Sequence, residues 1–233
     1  MKLAALFSGG KDSVMAIDWL EKRGHDVECL ITMISESDES YMFHIPNVQW
    51  TKLQAEAMRI PIIQKKTKGE KEKELEDLKA AIVEAKEKYG IEGVSAGAIA
   101  SEYQRGRVIK ICNDLGLVPF TPYWNWNDDR YMQEVLSSGY EIILVGVFAD
   151  GLDKSFLAKR LDAVFYERLR ETKKKTGIHL AGEGGEYETF VLSGPKFSQS
   201  LLIKNFKIEE TNNSAVMQIT DIELVGEGKK NYC

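Results

Sequence analysis

The sequence predicts an α/β protein: an open, mostly parallel sheet flanked by helices, followed by a small C-terminal α+β appendage. Three observations carry that prediction. Short apolar runs alternate with amphipathic stretches of helical period through the first two thirds of the chain, the pattern of a parallel sheet covered by helices. A glycine turn, Ser8-Gly9-Gly10-Lys11-Asp12-Ser13, directly follows the first apolar run, as a strand-to-helix connection does. From His179 onward the chain becomes glycine-rich and then alternates in short strand-like runs. The expected division is a sheet domain over 1–150 and a C-terminal region over 151–233.

Taken in order, residues 3–7 form the first strand, and Val14, Ile17 and Leu20 recur at helical spacing until Gly24 ends the helix. Residues 27–34 read as a second buried strand. Asn47 is the expected cap of a helix running to about Arg59, and Pro61-Ile62-Ile63 begins a third strand. Over 70–89, Leu75, Leu78, Ile82, Ala85 and Tyr89 form an apolar stripe on a charged surface helix, where Glu84 and Lys88 have the spacing to pair. Residues 93–97 read as a fourth strand, 101–115 as a helix, 118–120 as a short strand, 141–148 as a long apolar sixth strand, and 156–175 as helical. Two short strands are expected over 200–208 and 215–225. In an open parallel sheet a ligand sits at the carboxyl ends of strands where their order reverses, so the residues after strands one, two and four should share one pocket.

The chain has 233 residues, 43% of them hydrophobic, enough for a sizeable core. A formal charge of −5 argues against holding nucleic acid by bulk charge. Cys29, Cys112 and Cys233 are widely spaced and form no Cys-x-x-Cys pair, so neither a zinc site nor a disulfide framework is predicted. The apolar run after Met1-Lys2 breaks at Ser8-Gly9, too short for a signal-peptide core, and a cytoplasmic protein is expected.

The turn after the first strand has the chemistry of a phosphate cradle. Gly9 and Gly10 let the backbone bend with its N–H groups facing one point, and the helix starting beyond them adds its positive end. Lys11 adds a full charge, Ser8 and Ser13 add hydroxyls, and Asp12 can hold a loop N–H or lie near a magnesium ion. It is not a Walker A loop, because Ala5 stands where that motif requires its first glycine.

Two further segments narrow the function. In Gly182-Glu183-Gly184-Gly185-Glu186-Tyr187-Glu188-Thr189, glycines that permit close backbone approach are interleaved with carboxylates able to bind a cation, orient an ammonium group or act as a base. A charged hairpin turn is the plain alternative. The segment Gly97-Ala98-Ile99-Ala100-Ser101-Glu102-Tyr103-Gln104-Arg105-Gly106-Arg107 lies where the fourth strand hands over to a helix. Small residues such as Gly97 and Ala98 can admit a base or ribose there, and one or two of Tyr103, Gln104, Arg105 and Arg107 can point into the same cleft; a surface helix with ordinary arginines is the plain alternative.

The hexapeptide Ser8 to Ser13 resembles the PP-loop of the ATP pyrophosphatase superfamily. Read with Ser40-Tyr41-Met42-Phe43-His44, with Ser101 to Arg107 and with Gly182 to Thr189, the chain resembles the diphthine–ammonia ligase family over most of its length. That resemblance implies an adenine nucleotide alpha hydrolase-like fold and ATP with magnesium as cofactors. It also implies amidation of diphthine on translation elongation factor 2 by ammonium, through an adenylated carboxylate, giving diphthamide, AMP and pyrophosphate. On this reading Ser8, Gly9, Gly10, Lys11, Asp12, Ser13, Gly97 and Ala98 hold the nucleotide. Lys11 serves catalysis together with Glu183, Glu186 and Glu188, one of which captures and deprotonates ammonium or recognises the trimethylammonium group. His44, Tyr103, Gln104, Arg105 and Thr189 face the substrate, and magnesium is carried mainly by the ATP phosphates with Asp12 nearby.

Free ammonium is the expected nitrogen source, because no cysteine begins a glutaminase-like segment: Cys29 falls in a predicted strand and Cys112 in a helix. Two other readings are weighed against this one. A PP-loop tRNA-modifying enzyme would require a basic surface and often catalytic cysteines. A non-catalytic ATP or AMP sensor would not require the carboxylate-rich segment. Trp124 and Trp126 read as packing residues, and Asp150 and Asp153 as turn and cap residues.

Overall fold

The computed structural model describes residues 1–36, 46–68, 73–97 and 102–226. The elements follow in the order β1 (Lys2–Leu6), α1 (Lys11–Glu21), β2 (Asp26–Ser35), α2 (Thr51–Met58), β3 (Ile62–Thr67), α3 (Lys73–Tyr89), β4 (Gly93–Ser95), α4 (Glu102–Leu115), β5 (Val118–Phe120), α5 (Asp128–Ser137), β6 (Glu141–Val147), α6 (Ala163–Thr176), β7 (Tyr187–Ser193), β8 (Ser200–Glu210) and β9 (Ala215–Val225). Among the described residues no helix is long and apolar enough to cross a membrane.

Five strands form a parallel sheet in the order β3-β2-β1-β4-β5. The order reverses between β1 and β4, so the carboxyl ends of those two strands flank the crevice in which open α/β sheets bind ligands. Side chains alternate across the sheet. Leu3, Ala5 and Phe7 face one core, shared with α1, α2 and the second sheet, while Ala4, Cys29, Ile31 and Met33 face another, closed by Leu78, Ile82 and Ala85 of α3 and Val108, Ile111 and Cys112 of α4.

The long apolar strand expected as sixth in this sheet belongs elsewhere. β6 lies inside an antiparallel sheet of order β7-β6-β9-β8, pairing with β7 and β9. A strand buried on both faces is apolar throughout whichever way its neighbours run, so composition does not reveal its sheet. β6 is thus already part of the second sheet. The stretch 156–175 is also not one helix: Asp153 caps a short 3-10 turn at Lys154–Phe156, and Asp162 caps α6. α5, with Asn127 as its cap, occupies the stretch between the short strand and β6 for which the sequence reading assigns no element.

The two sheets are joined by side chains that take the place of strand pairing. Asn47, expected as a helix cap, instead sits at φ 66° and makes no cap bond. Its amide donates to the Met217 carbonyl at 2.8 Å and accepts from Ile219 N–H at 2.7 Å, filling both backbone groups of β9 as a neighbouring strand would. Trp50 Nε1 donates to the Ile219 carbonyl at 3.0 Å, and Ser198 bonds the carbonyl of Ala57 through both N–H and hydroxyl. On the outer face Glu84 pairs with Lys65 of β3 at 2.7 Å rather than with Lys88, which lies over the Tyr89 ring.

Candidate functional site

The turn after β1 has the form its sequence requires. Gly9 adopts φ +81°, and a Cβ there would fall 2.3 Å from Gln54 Oε1. Gly10 is extended and starts α1 without a side-chain cap. The Ser13 hydroxyl donates to the Gly10 carbonyl at 3.0 Å, while Gly10 N–H and Ser8 Oγ lie 3.4 Å apart. Gly97, just past β4, packs against the first turn of α1: a Cβ there would stand 2.7 Å from the Asp12 carbonyl oxygen. Only glycine lets the chain beyond β4 approach the start of α1 so closely.

Lys11 is only 2% exposed. Its ammonium donates to Asp12 Oδ2 at 2.9 Å and to the Ala181 carbonyl at 2.6 Å, and it lies 5.2 Å from the Tyr187 ring centre. Burial alone would push the ammonium down, but the Asp12 carboxylate and the neighbouring Tyr187 and Glu183 offset this and hold it above the ordinary lysine value. Lys11 is therefore charged, and it ties the turn to the 182–189 segment. Thr189 adds a second tie, its hydroxyl oxygen accepting from Lys11 N–H at 3.1 Å.

The three carboxylates of that segment stand in different environments. Glu186 accepts from His179 N–H and from Gly184 N–H, each at 2.8 Å, and so closes its own loop. Glu188 lies at the start of β7, where burial pushes its carboxyl up, Lys11 pulls it down, and Asp12 and Glu183 push it up again, to about 7. Glu183 belongs to the same charge cluster, acting on both Lys11 and Glu188.

Tyr131 and Tyr187 enter the site without a role assigned by the sequence. Tyr131 of α5 is fully buried and donates to Asp12 Oδ1 at 2.6 Å; burial and the Asp12 carboxylate both raise its phenol, which stays a donor. Both Asp12 oxygens are thus engaged, by Tyr131 and by Lys11. Tyr187, quoted in the motif only as a spacer, is buried and donates to the Leu180 carbonyl at 2.5 Å. The Asn127 cap followed by the acidic first turn Asp128-Asp129 was the available signal for the helix carrying Tyr131. Among the described residues no group of three His, Cys, Asp or Glu is placed to hold a metal ion.

Other expected site residues stand apart or outside the description. Arg105 stacks on the Trp124 ring at 4.6 Å and pairs with Glu102 at 3.8 Å. Tyr103 and Gln104 lie in the first turn of α4, but their side chains are outside the described residues, as are His44, Ala98 and the 40–44 segment. Trp126 packs edge-on against Tyr123, and Arg130 covers its other side. Cys29 and Cys112 are fully buried, and burial pushes their thiols up to about 12 and about 11, which suits packing residues.

Comparison with known proteins finds two family models along the chain: the diphthamide synthase N-terminal domain over residues 1–119 and the diphthamide synthase C-terminal domain over 127–225. Among curated proteins, the diphthine–ammonia ligase of Bos taurus is 36% identical over 89% of this chain and 85% of its own length. The proteins of that name from Mus musculus and Rattus norvegicus are each 38% identical, over 87% and 97% of this chain and 83% and 91% of theirs.

Proposed function

The chain belongs to the diphthamide synthase family, and from that membership we propose that it amidates diphthine on translation elongation factor 2 with ammonium, using ATP and forming AMP and pyrophosphate. It is a ligase that forms a C–N bond. The observation that supports the finer reading is the position of Lys11, whose buried ammonium joins the phosphate-type turn to the carboxylate segment within one charge cluster.

The proposed chemistry follows from the weakness of a carboxylate as an acyl donor. A carboxylate oxygen of diphthine attacks the α-phosphorus of ATP, the bond to the β-phosphate breaks, and pyrophosphate leaves. The mixed anhydride so formed has AMP as its leaving group, and ammonia attacks its carbonyl carbon to give the amide. Ser8, Gly9, Gly10, Lys11 and Ser13 would hold the phosphates, with the charge of Lys11 and the amides at the start of α1 stabilising negative charge as pyrophosphate departs. Gly97 fits the nucleotide side of the crevice because its missing side chain lets the chain beyond β4 lie against the first turn of α1. Magnesium would ride on the ATP phosphates, since both Asp12 oxygens already have partners.

Among the carboxylates, Glu188 is the proposed acceptor of the ammonium proton, since a group near 7 can hold and release a proton at neutral pH. Glu186, engaged by two backbone amides, would shape the loop, and Glu183 would share in ammonium or trimethylammonium binding. His44, Ala98, Tyr103, Gln104, Arg105 and Thr189 remain proposed contacts of nucleotide or acceptor. On this reading the parallel-sheet unit holds ATP, the C-terminal unit receives the protein substrate, and the reaction takes place in the cytoplasm.

The test is AMP and pyrophosphate formation from ATP and magnesium, with and without ammonium and diphthine-bearing elongation factor 2. Turnover requiring both additions is expected. ATP binding with no AMP under any combination would overturn the reading.

A further inference from the structure

Gln54 lies on α2, outside every motif of the sequence, and is completely buried. Its side-chain nitrogen donates to two main-chain carbonyls, Gly9 at 2.9 Å and Val191 at 2.8 Å. Both partners are acceptors, so the amide group must face them with its NH₂ and cannot be flipped. The Gly9 carbonyl also accepts from Val191 N–H at 3.0 Å, which fills its second lone pair. One carbonyl of the turn is therefore held by a side chain of α2 and by the backbone of β7.

That grip has a directional consequence. A trans peptide unit is planar, with its C=O and the following N–H pointing opposite ways. Holding the Gly9 carbonyl against Gln54 and Val191 forces Gly10 N–H toward the other side, where, among the described residues, its hydrogen-bond partner is Ser8 Oγ at 3.4 Å. Gly9, at φ +81° and without room for a Cβ beside Gln54 Oε1, would otherwise let this plane rotate freely. Among the described residues Gln54 Oε1 itself is buried with no hydrogen-bond partner, an unfavourable arrangement that the fold retains while using the NH₂ group.

We propose that Gln54 is a positioning residue for the nucleotide turn, its NH₂ group clamping the Gly9 and Val191 carbonyls so that Gly10 N–H is aimed at the bound phosphate. This rests on the reading of the turn as the ATP site and does not depend on the identity of the acceptor protein. It also explains how β7, the strand carrying Glu188 and Thr189, is kept in register with the turn.

The test is binding of inorganic pyrophosphate and of a non-hydrolysable ATP analogue, each with magnesium, to the full chain and to Gln54→Leu and Gln54→Glu. Leucine keeps the volume without the donors; glutamate places an acceptor against two acceptors. Variants with native circular dichroism should bind both probes at least ten-fold more weakly, with Gln54→Glu the worse, and raise KM for ATP while leaving KM for ammonium unchanged. Native-like variants with wild-type affinity would overturn the inference. Should both variants fail to fold, the amide resonance of Gly10 in the wild-type protein decides: a large shift on adding pyrophosphate supports the aimed N–H, and none overturns it. A wild-type protein that binds neither probe would instead overturn the nucleotide reading beneath it.

Discussion

The turn at Ser8 to Ser13 and the segment at Gly182 to Thr189 have a similar make-up, glycines interleaved with charged groups, but their charges are arranged differently. In the turn Lys11 and Asp12 neutralise each other at 2.9 Å, and the serines close the backbone from within. In the later segment the three carboxylates stand in separate environments. One is engaged by backbone amides, another is pushed up to about 7, and the neighbouring cation is Lys11, borrowed from the turn. Residues of one chemical type, a few positions apart, are thus given different environments by burial and neighbours, and the two segments make one electrostatic unit.

The strongest way to break that unit is Lys11→Ala. It removes the charge proposed to face the phosphates and leaves the Asp12 carboxylate and the Ala181 carbonyl without their shared donor. We expect ATP-dependent pyrophosphate release to fall by roughly 10²–10³-fold, the scale seen when one stabilising group is removed from a transition state. A residual rate near wild type would mean that the turn works without the link.

Glu188→Gln sharpens the division of labour among the carboxylates. If Glu188 takes the ammonium proton, the wild-type rate should rise with pH through about 7, and the variant should lose both that limb and roughly 10²-fold in rate. Stability gives a second readout. The folded protein holds this proton up to about 7, whereas an unfolded glutamate releases it near 4.5. The folded state therefore binds more protons between those values, and stability falls as pH rises from about 4.5 to 7. Glu188→Gln should accordingly be the more stable protein at pH 8, by about 1–3 kcal/mol, with the gain fading toward pH 4.5 in thermal melts.

Glu186→Ala tests the contrasting task. It frees the His179 and Gly184 amides, and we expect a loss of about 1–2 kcal/mol in denaturant unfolding. The pH–rate limb assigned to Glu188 should persist; its disappearance would transfer the proton to Glu186. The smallest effect is expected from Thr189→Val, which takes the acceptor from Lys11 N–H. Stability should drop by about 1 kcal/mol without ligand, and saturating pyrophosphate should recover most of it if an anion takes over that amide. An undiminished deficit at saturation would place the amide outside the anion site.

Much of this was legible in the chain. The β1-turn-α1 unit, β4, β5 and β9 lie where the residue pattern put them, because a strand end, two glycines and a helical stripe are local signals. The residue types alone singled out Lys11 and the carboxylate segment, and the family resemblance added the reaction expected of them. It did not distinguish Glu186 from Glu188, since both sit among the same glycines and differ only in what packs around them.

What the sequence by itself determined was the set of local devices: a turn that only glycine can make, alternating strands, and charged groups at fixed intervals. What only the tertiary structure decided was their mutual address. β6 left the parallel sheet for the antiparallel one, Asn47 turned from helix cap to strand substitute, and Gln54 and Tyr131 arrived beside the turn from elements with no motif. The reason is physical. Periodicity and turn chemistry act over a few residues, whereas the bond from Gln54 to Val191 and the charge of Lys11 beside Glu188 join positions more than a hundred residues apart, which only packing brings within reach.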